Sequence, residues 1–288
     1  MARGLDHVVH VVRDLEAAAD FYGRLGFTVG VRNQHPWGTH NRLVQLPGFF
    51  LEILTVGEPQ KIPPHRERAF SFGAFNRDFL AQAGDGLSCM VLESDNATSD
   101  KAVLERAGFG GFDLLNFTRR GKRADGSDAE VGFSIAFARY PASPRAAFFT
   151  CKQTHPENFW SAELQRHANG AQAISACALV AEYPSDHHIF LEAFTGIRAP
   201  HASSLGLAIR TPRGVILTFD RRGFRDTYGV EPPMDEGLRL EALVFKVDDP
   251  DKLRVACAKG GIRVKEAGGK LVIPAEVAFG ATLVFEAS

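Results

Sequence analysis

Two side chains stand out as capable of chemistry because of the company they keep. Glu52 lies in Phe49-Phe50-Leu51-Glu52-Ile53-Leu54, where every neighbour is apolar. A buried carboxylate needs a cation, a proton or several hydrogen bonds. A metal ion would satisfy it; so would an edge strand turning Glu52 to water, or an ion pair with an arginine such as Arg42. His7 alternates with Leu5, Val9 and Val11, which places an imidazole on an apolar strand face. Imidazole is a common ligand for divalent metals, and a sheet wall holds it rigidly. A core histidine satisfied by one hydrogen bond would read the same way. Thr39 and Asn41 precede the Glu52 strand. Their hydroxyl and amide could orient a carbonyl or carboxylate of a ligand, or organise the turn at Gly38. His35 and His40 share that loop and are expected at the solvent.

The elements that would position these groups repeat along the chain. Gly4-Leu5-Asp6-His7-Val8-Val9 is echoed by Gly86-Leu87-Ser88-Cys89-Met90-Val91, and Arg24-Leu25-Gly26-Phe27 by Arg106-Ala107-Gly108-Phe109. Both matches fall at one offset, 82 residues, with no gap between them. The first unit reads as a strand over 5–12, a helix capped by Asp14 and ended by Gly26, and strands near 27–32, 41–46 and 49–55. Pro47-Gly48 marks a tight turn. The second unit reads as a strand at 86–93, a helix over 97–107 and strands near 112–119, 129–139 and 146–152, with Asp125-Gly126 as a turn. Residues 73–83 suggest a short helix between the units. Two looser copies follow, over about 172–220 and 238–287; aligning their helix-ending glycines puts Cys177 and Ala242 at the position of His7. Residues 156–170 suggest a linker helix.

This organisation resembles the vicinal oxygen chelate superfamily. The matching residues are Leu5-Asp6-His7-Val8-Val9, Asp14-Leu15-Glu16, Phe21-Tyr22, Leu25-Gly26-Phe27 and Phe50-Leu51-Glu52-Ile53-Leu54. Gly38-Thr39-His40-Asn41-Arg42-Leu43 is similar to the branch called the glyoxalase-like domain. The resemblance implies an α+β fold of tandem βαβββ modules, four of them in two domains. These would be a glyoxalase-like domain at 1–160 (modules 4–56 and 86–152) and a divergent one at 170–288. It implies a cavity holding a divalent metal (Zn, Fe, Mn, Ni or Co), with ligands on the first and last strands of the modules. His7 and Glu52 match those positions, and Cys89 would be a third ligand of a soft metal, or a buried apolar cysteine. The second module departs from the pattern, because its last strand, Ala147-Phe148-Phe149-Thr150-Cys151-Lys152, has no carboxylate. His155 could reach the cavity mouth or belong to a helix entry.

Two readings follow from the resemblance. One is a metal-dependent lyase, isomerase or dioxygenase acting on a small oxygenated molecule, with Glu52 as ligand or general base and Thr39, Asn41 and His155 binding substrate. The other is a metal-free protein of the same fold that binds or sequesters a small molecule. The C-terminal half, lacking a His/Glu strand pair, is read as structural or as supporting a homodimer.

Composition excludes other classes. Basic and acidic residues number 33 and 34, so no overall attraction to nucleic acid or anionic membrane is expected. The Arg119-Arg120-Gly121-Lys122-Arg123 cluster reads as a solvated hairpin turn. No run approaches the roughly 18 apolar residues of a membrane span, and no signal-peptide core is present. The four scattered cysteines fit free, buried thiols in a cytoplasmic protein. No dinucleotide, P-loop, HExxH or GxSxG motif occurs, so no nucleotide cofactor is expected.

Overall fold

The computed structural model describes residues 1–122, 128–233 and 237–288. Each of the four repeats folds as β-α-β-β-β. The first comprises β1 (Leu5–Val11), α1 (Leu15–Arg24), β2 (Asn33–Gln34), β3 (Thr39–Leu46) and β4 (Phe49–Val56). Helix α2 (Phe72–Ala83) leads to the second: β5 (Gly86–Glu93), α3 (Ala97–Arg106), β6 (Leu115–Lys122), β7 (Asp128–Phe137) and β8 (Ala147–Gln153). The third comprises β9 (Ala171–Val180), α4 (His188–Thr195), β10 (His201–Ser203), β11 (Gly206–Arg210) and β12 (Val215–Phe219). Helix α5 (Arg221–Tyr228) leads to the fourth: β13 (Arg239–Val247), α6 (Pro250–Gly260), β14 (Lys265–Ala267), β15 (Lys270–Ile273) and β16 (Thr282–Ala287). The Asp125-Gly126 turn lies outside the described residues.

The first two modules keep their step through α1 and α3. Asp14 caps α1 by accepting from the Glu16 and Ala17 N–H groups, and Asn96 caps α3 by accepting from Ser99. Gly26 and Gly108 follow the helix ends at φ 89° and 81°, a conformation that favours glycine.

Two eight-stranded sheets result, ordered β2-β3-β4-β1-β5-β8-β7-β6 and β10-β11-β12-β9-β13-β16-β15-β14. In each, the first strands of two modules pair antiparallel at the centre, and each also pairs parallel with the last strand of its own module. The faces of these strands divide the apolar residues. One continuous core joins the two sheets, drawing on Val8, Leu51, Tyr22, Phe148, Phe190, Phe245 and Phe285. A second cluster, with Val9, Cys89, Phe137 and Phe149, lies on the other face of the first sheet. A third, with Ala178, Phe224, Tyr228 and Val244, lies on the corresponding face of the second.

Two expected elements differ. Residues 27–32 form no ladder, and β2 is reduced to Asn33–Gln34. The segment is held instead by the Gly30 N–H on the Leu43 carbonyl at 2.8 Å. Residues 156–170 form no α-helix beyond a single 3₁₀ turn at Pro156–Asn158. Gln45 occupies the backbone groups that a helix would use, donating to the Phe159 carbonyl and accepting from the Ser161 N–H, both at 2.9 Å. No helix of the described residues is long and apolar enough to cross a membrane.

Candidate functional site

The site is built on β1, whose pairing with β5 shifts register between Leu5 and His7. Strand alternation alone would put the two on one face; the irregularity separates them. Leu5 joins Val8 in the core between the sheets, whereas His7 lines a cavity of about 450 Å³ in the first sheet. Parallel pairing with β4 sets His7 opposite Phe50 and Val9 opposite Glu52, and His7, Phe50 and Glu52 line the same hollow.

Glu52 is buried, its side chain only 7% exposed. It faces neither water nor Arg42, which bonds Glu16 and the Gly30 carbonyl instead. Asn41 Nδ2 donates to Glu52 Oε1 at 2.5 Å, and His35 Nε2 stands 3.8 Å from the same oxygen. Burial pushes the His35 pKa down, against the attraction of Glu52. His35 also bonds Thr39 Oγ1 at 2.9 Å and stacks on Trp37 with centroids 4.8 Å apart. His40 is buried between Arg32 and Glu58. The solvent exposure expected for His35 and His40 is therefore corrected: aromatic packing covers the first, and Arg32 and Glu58 enclose the second.

His7 is paired along its own strand. Its Nδ1 donates to Asp6 Oδ2 at 2.5 Å, and its ring stacks on Phe50 at 4.2 Å. Gln153 Nε2 donates to the other Asp6 oxygen at 3.3 Å. With Nδ1 committed to the carboxylate, Nε2 is the ring nitrogen left without a partner among the described residues.

The remaining residues singled out in the sequence divide. Asn41 lines the cavity; fully buried Thr39 does not, and serves His35 instead. His155 does not line the cavity either. Its side chain is 43% exposed beside Glu157 and Glu130, at the entry to the 3₁₀ turn. Cys89 is separated from Glu52 by Val9, which pairs with both. Its thiol is buried in the apolar cluster, which pushes its pKa up. Among the described residues, no three His, Cys, Asp or Glu side chains converge as a metal site. Of the residues expected as ligands, His7 pairs through Nδ1 with Asp6, Glu52 accepts from Asn41 on one oxygen, and Cys89 lies behind Val9.

The sequence reading missed most of the lining. Phe117, Phe133, Phe149 and Phe159 ring the cavity beside Trp37, and Cys151 is the cysteine that reaches it. Trp160 packs on Phe50 and Phe159 from outside. Arg119 also enters, contrary to its reading as part of a solvated turn. The signal was present: Leu115, Phe117 and Arg119 alternate along β6 and all three line the hollow.

The equivalent hollow of the second sheet is filled. Phe224 and Tyr228 of α5 pack among Ala176, Ala178 and Val244. Cys177, aligned with His7 by sequence, faces the core between the sheets instead. His187, at the end of a 3₁₀ turn, bonds the Tyr140 hydroxyl, and His188, the first residue of α4, bonds the Ser185 carbonyl.

A curled sheet of paired βαβββ modules with a lined hollow defines a glyoxalase-like architecture. The family model described as "Glyoxalase-like domain" matches residues 5–195, and the chain belongs to that family. A crystal structure of a hypothetical protein from Staphylococcus aureus superposes with a TM-score of 0.67 at 12% identity, covering 99% of this chain and 100% of that one. A mutant of 4-hydroxymandelate synthase from Streptomyces coelicolor gives 0.60 at 11% identity, covering 99% and 92%. A fusion protein of a xylose isomerase-like TIM barrel with a 4-hydroxyphenylpyruvate dioxygenase gives 0.52 at 15% identity, covering 99% of this chain and 49% of that one. At these identities the likeness is one of fold. No curated protein matches the sequence.

Proposed function

We propose that the chain binds a small, largely aromatic molecule in the hollow of its first sheet, without a metal ion. The observation that carries this reading is the lining itself. Phe50, Phe117, Phe133, Phe149, Phe159 and Trp37 surround a buried carboxylate, Glu52, in a volume suited to a small ligand. Aromatic walls favour a planar apolar body. Glu52 then accepts a hydrogen bond from a donor on that body, with Asn41 fixing its orientation.

A second reading adds proton transfer to binding, and the Asp6–His7 pair favours it. A buried carboxylate on Nδ1 orients the imidazole, leaving Nε2 to exchange a proton with a bound molecule. Isomerisation or elimination would need no more than this base and a donor to the product.

The metal-dependent reading implied by the family is tested directly. Protein purified without chelator is expected to contain less than stoichiometric Zn, Fe, Mn, Ni or Co by elemental analysis, and these ions are expected to leave its melting temperature unchanged. One metal per chain, lost in both His7→Ala and Glu52→Gln variants, would overturn the metal-free proposal.

A further inference from the structure

Arg119 of β6 lines the hollow as well. Alternation along β6 puts it on the same face as Leu115 and Phe117, and its guanidinium lines the hollow beside their apolar side chains, with Thr118 and Arg120 of the same strand at its edge. Among the described residues, no carbonyl or carboxylate accepts a hydrogen bond from it. Glu52 acts on it electrostatically but is not its ion-pair partner. Burial lowers its pKa, opposed in part by the attraction of Glu52. The next arginine, Arg120, also borders the hollow but is 91% exposed and pairs with Glu130.

We propose that Arg119 is a specificity-determining residue that receives the carboxylate of an aromatic acid, and this rests on the aromatic-ligand reading above. The planar fork of a guanidinium matches a carboxylate in two parallel hydrogen bonds, strengthened where water is excluded. The rings of Phe117 and Phe133, stacked at 5.0 Å beside it, take the aromatic body. Glu52 repels a second anionic group and so limits the ligand to one carboxylate with any further polar group a donor.

The test is calorimetric titration of the whole chain with phenylacetate and with its neutral counterpart 2-phenylethanol. Wild-type protein is expected to bind phenylacetate at least tenfold more tightly. Arg119→Gln is expected to bind both with similar affinity, and Arg119→Lys to recover part of the preference. Thermal melts of both variants confirm the fold. Equal affinity of the wild type for the two compounds, or a preference that survives Arg119→Gln, overturns the role of Arg119 while leaving the aromatic site standing. No binding of either compound overturns both readings.

Discussion

At the residue scale, burial decides which groups are poised and which are inert. All four cysteines are free and buried. Burial pushes the thiol of Cys177 up to about 12 and that of Cys257 to about 11, with Cys89 and Cys151 also raised. Ellman's reagent at pH 8 is therefore expected to find no fast-reacting thiol in the native chain and four after unfolding; one fast thiol would show a cysteine accessible in the fold. His7 and Glu52 were legible because polar residues among apolar neighbours are conspicuous in a string of letters, and Asn41 by its place before the Glu52 strand. Their partners were not. Asp6 is adjacent in sequence, yet strand alternation argues against its reaching His7, and only a register irregularity makes the arrangement available. Arg119 was hidden by its basic neighbours, which made a half-buried wall residue read as part of a solvated turn.

At the element scale, the repeat explains why the fold was readable, and the connectors explain why the site was not. The β-α-β-β-β order followed from caps and glycines that recur at one spacing. Helices α2 and α5 occupy the same place in their halves, each following the last strand of one module and preceding the first strand of the next. α2 leaves a cavity beside Phe72, whereas α5 drives Phe224 and Tyr228 into the second hollow. The sequence reading did not find α5, although Asp220 caps it and Gly229 ends it. Phe224→Ala is expected to destabilise the chain by about 3–5 kcal/mol, the usual cost of emptying a phenylalanine site. Urea unfolding followed by circular dichroism checks it. A loss under about 1 kcal/mol would mean that α5 is not the plug described here.

At the scale of the whole molecule, the two sheets share one core, and His10 ties them by hydrogen bonds. Its Nε2 donates to the Phe279 carbonyl at 2.7 Å, so Nδ1 accepts from the Tyr22 hydroxyl at 2.8 Å. Phe279 adopts a left-handed φ of 52°, a conformation this bond helps to hold. Burial lowers the His10 pKa from 6.5 to about 4. The unfolded chain thus binds a proton below about pH 6.5 that the folded chain refuses until about pH 4. Stability is present above that window and is lost as the pH falls through it, by roughly 3 kcal/mol from this group. A His10→Asn variant is expected to be less stable at pH 7.5 and to lose less between pH 7 and 4.5; an unchanged slope would assign the acid sensitivity to other histidines.

The central claim is that the first hollow receives an aromatic molecule with no metal present. The chain has two tryptophans, of which Trp37 lines that hollow and Trp160 does not. Emission from a Trp160→Phe variant, titrated with phenylacetate in excess EDTA, reports on the hollow alone. The account expects a saturable change that persists in EDTA; emission that stays flat in EDTA but responds once a divalent metal is added would contradict it.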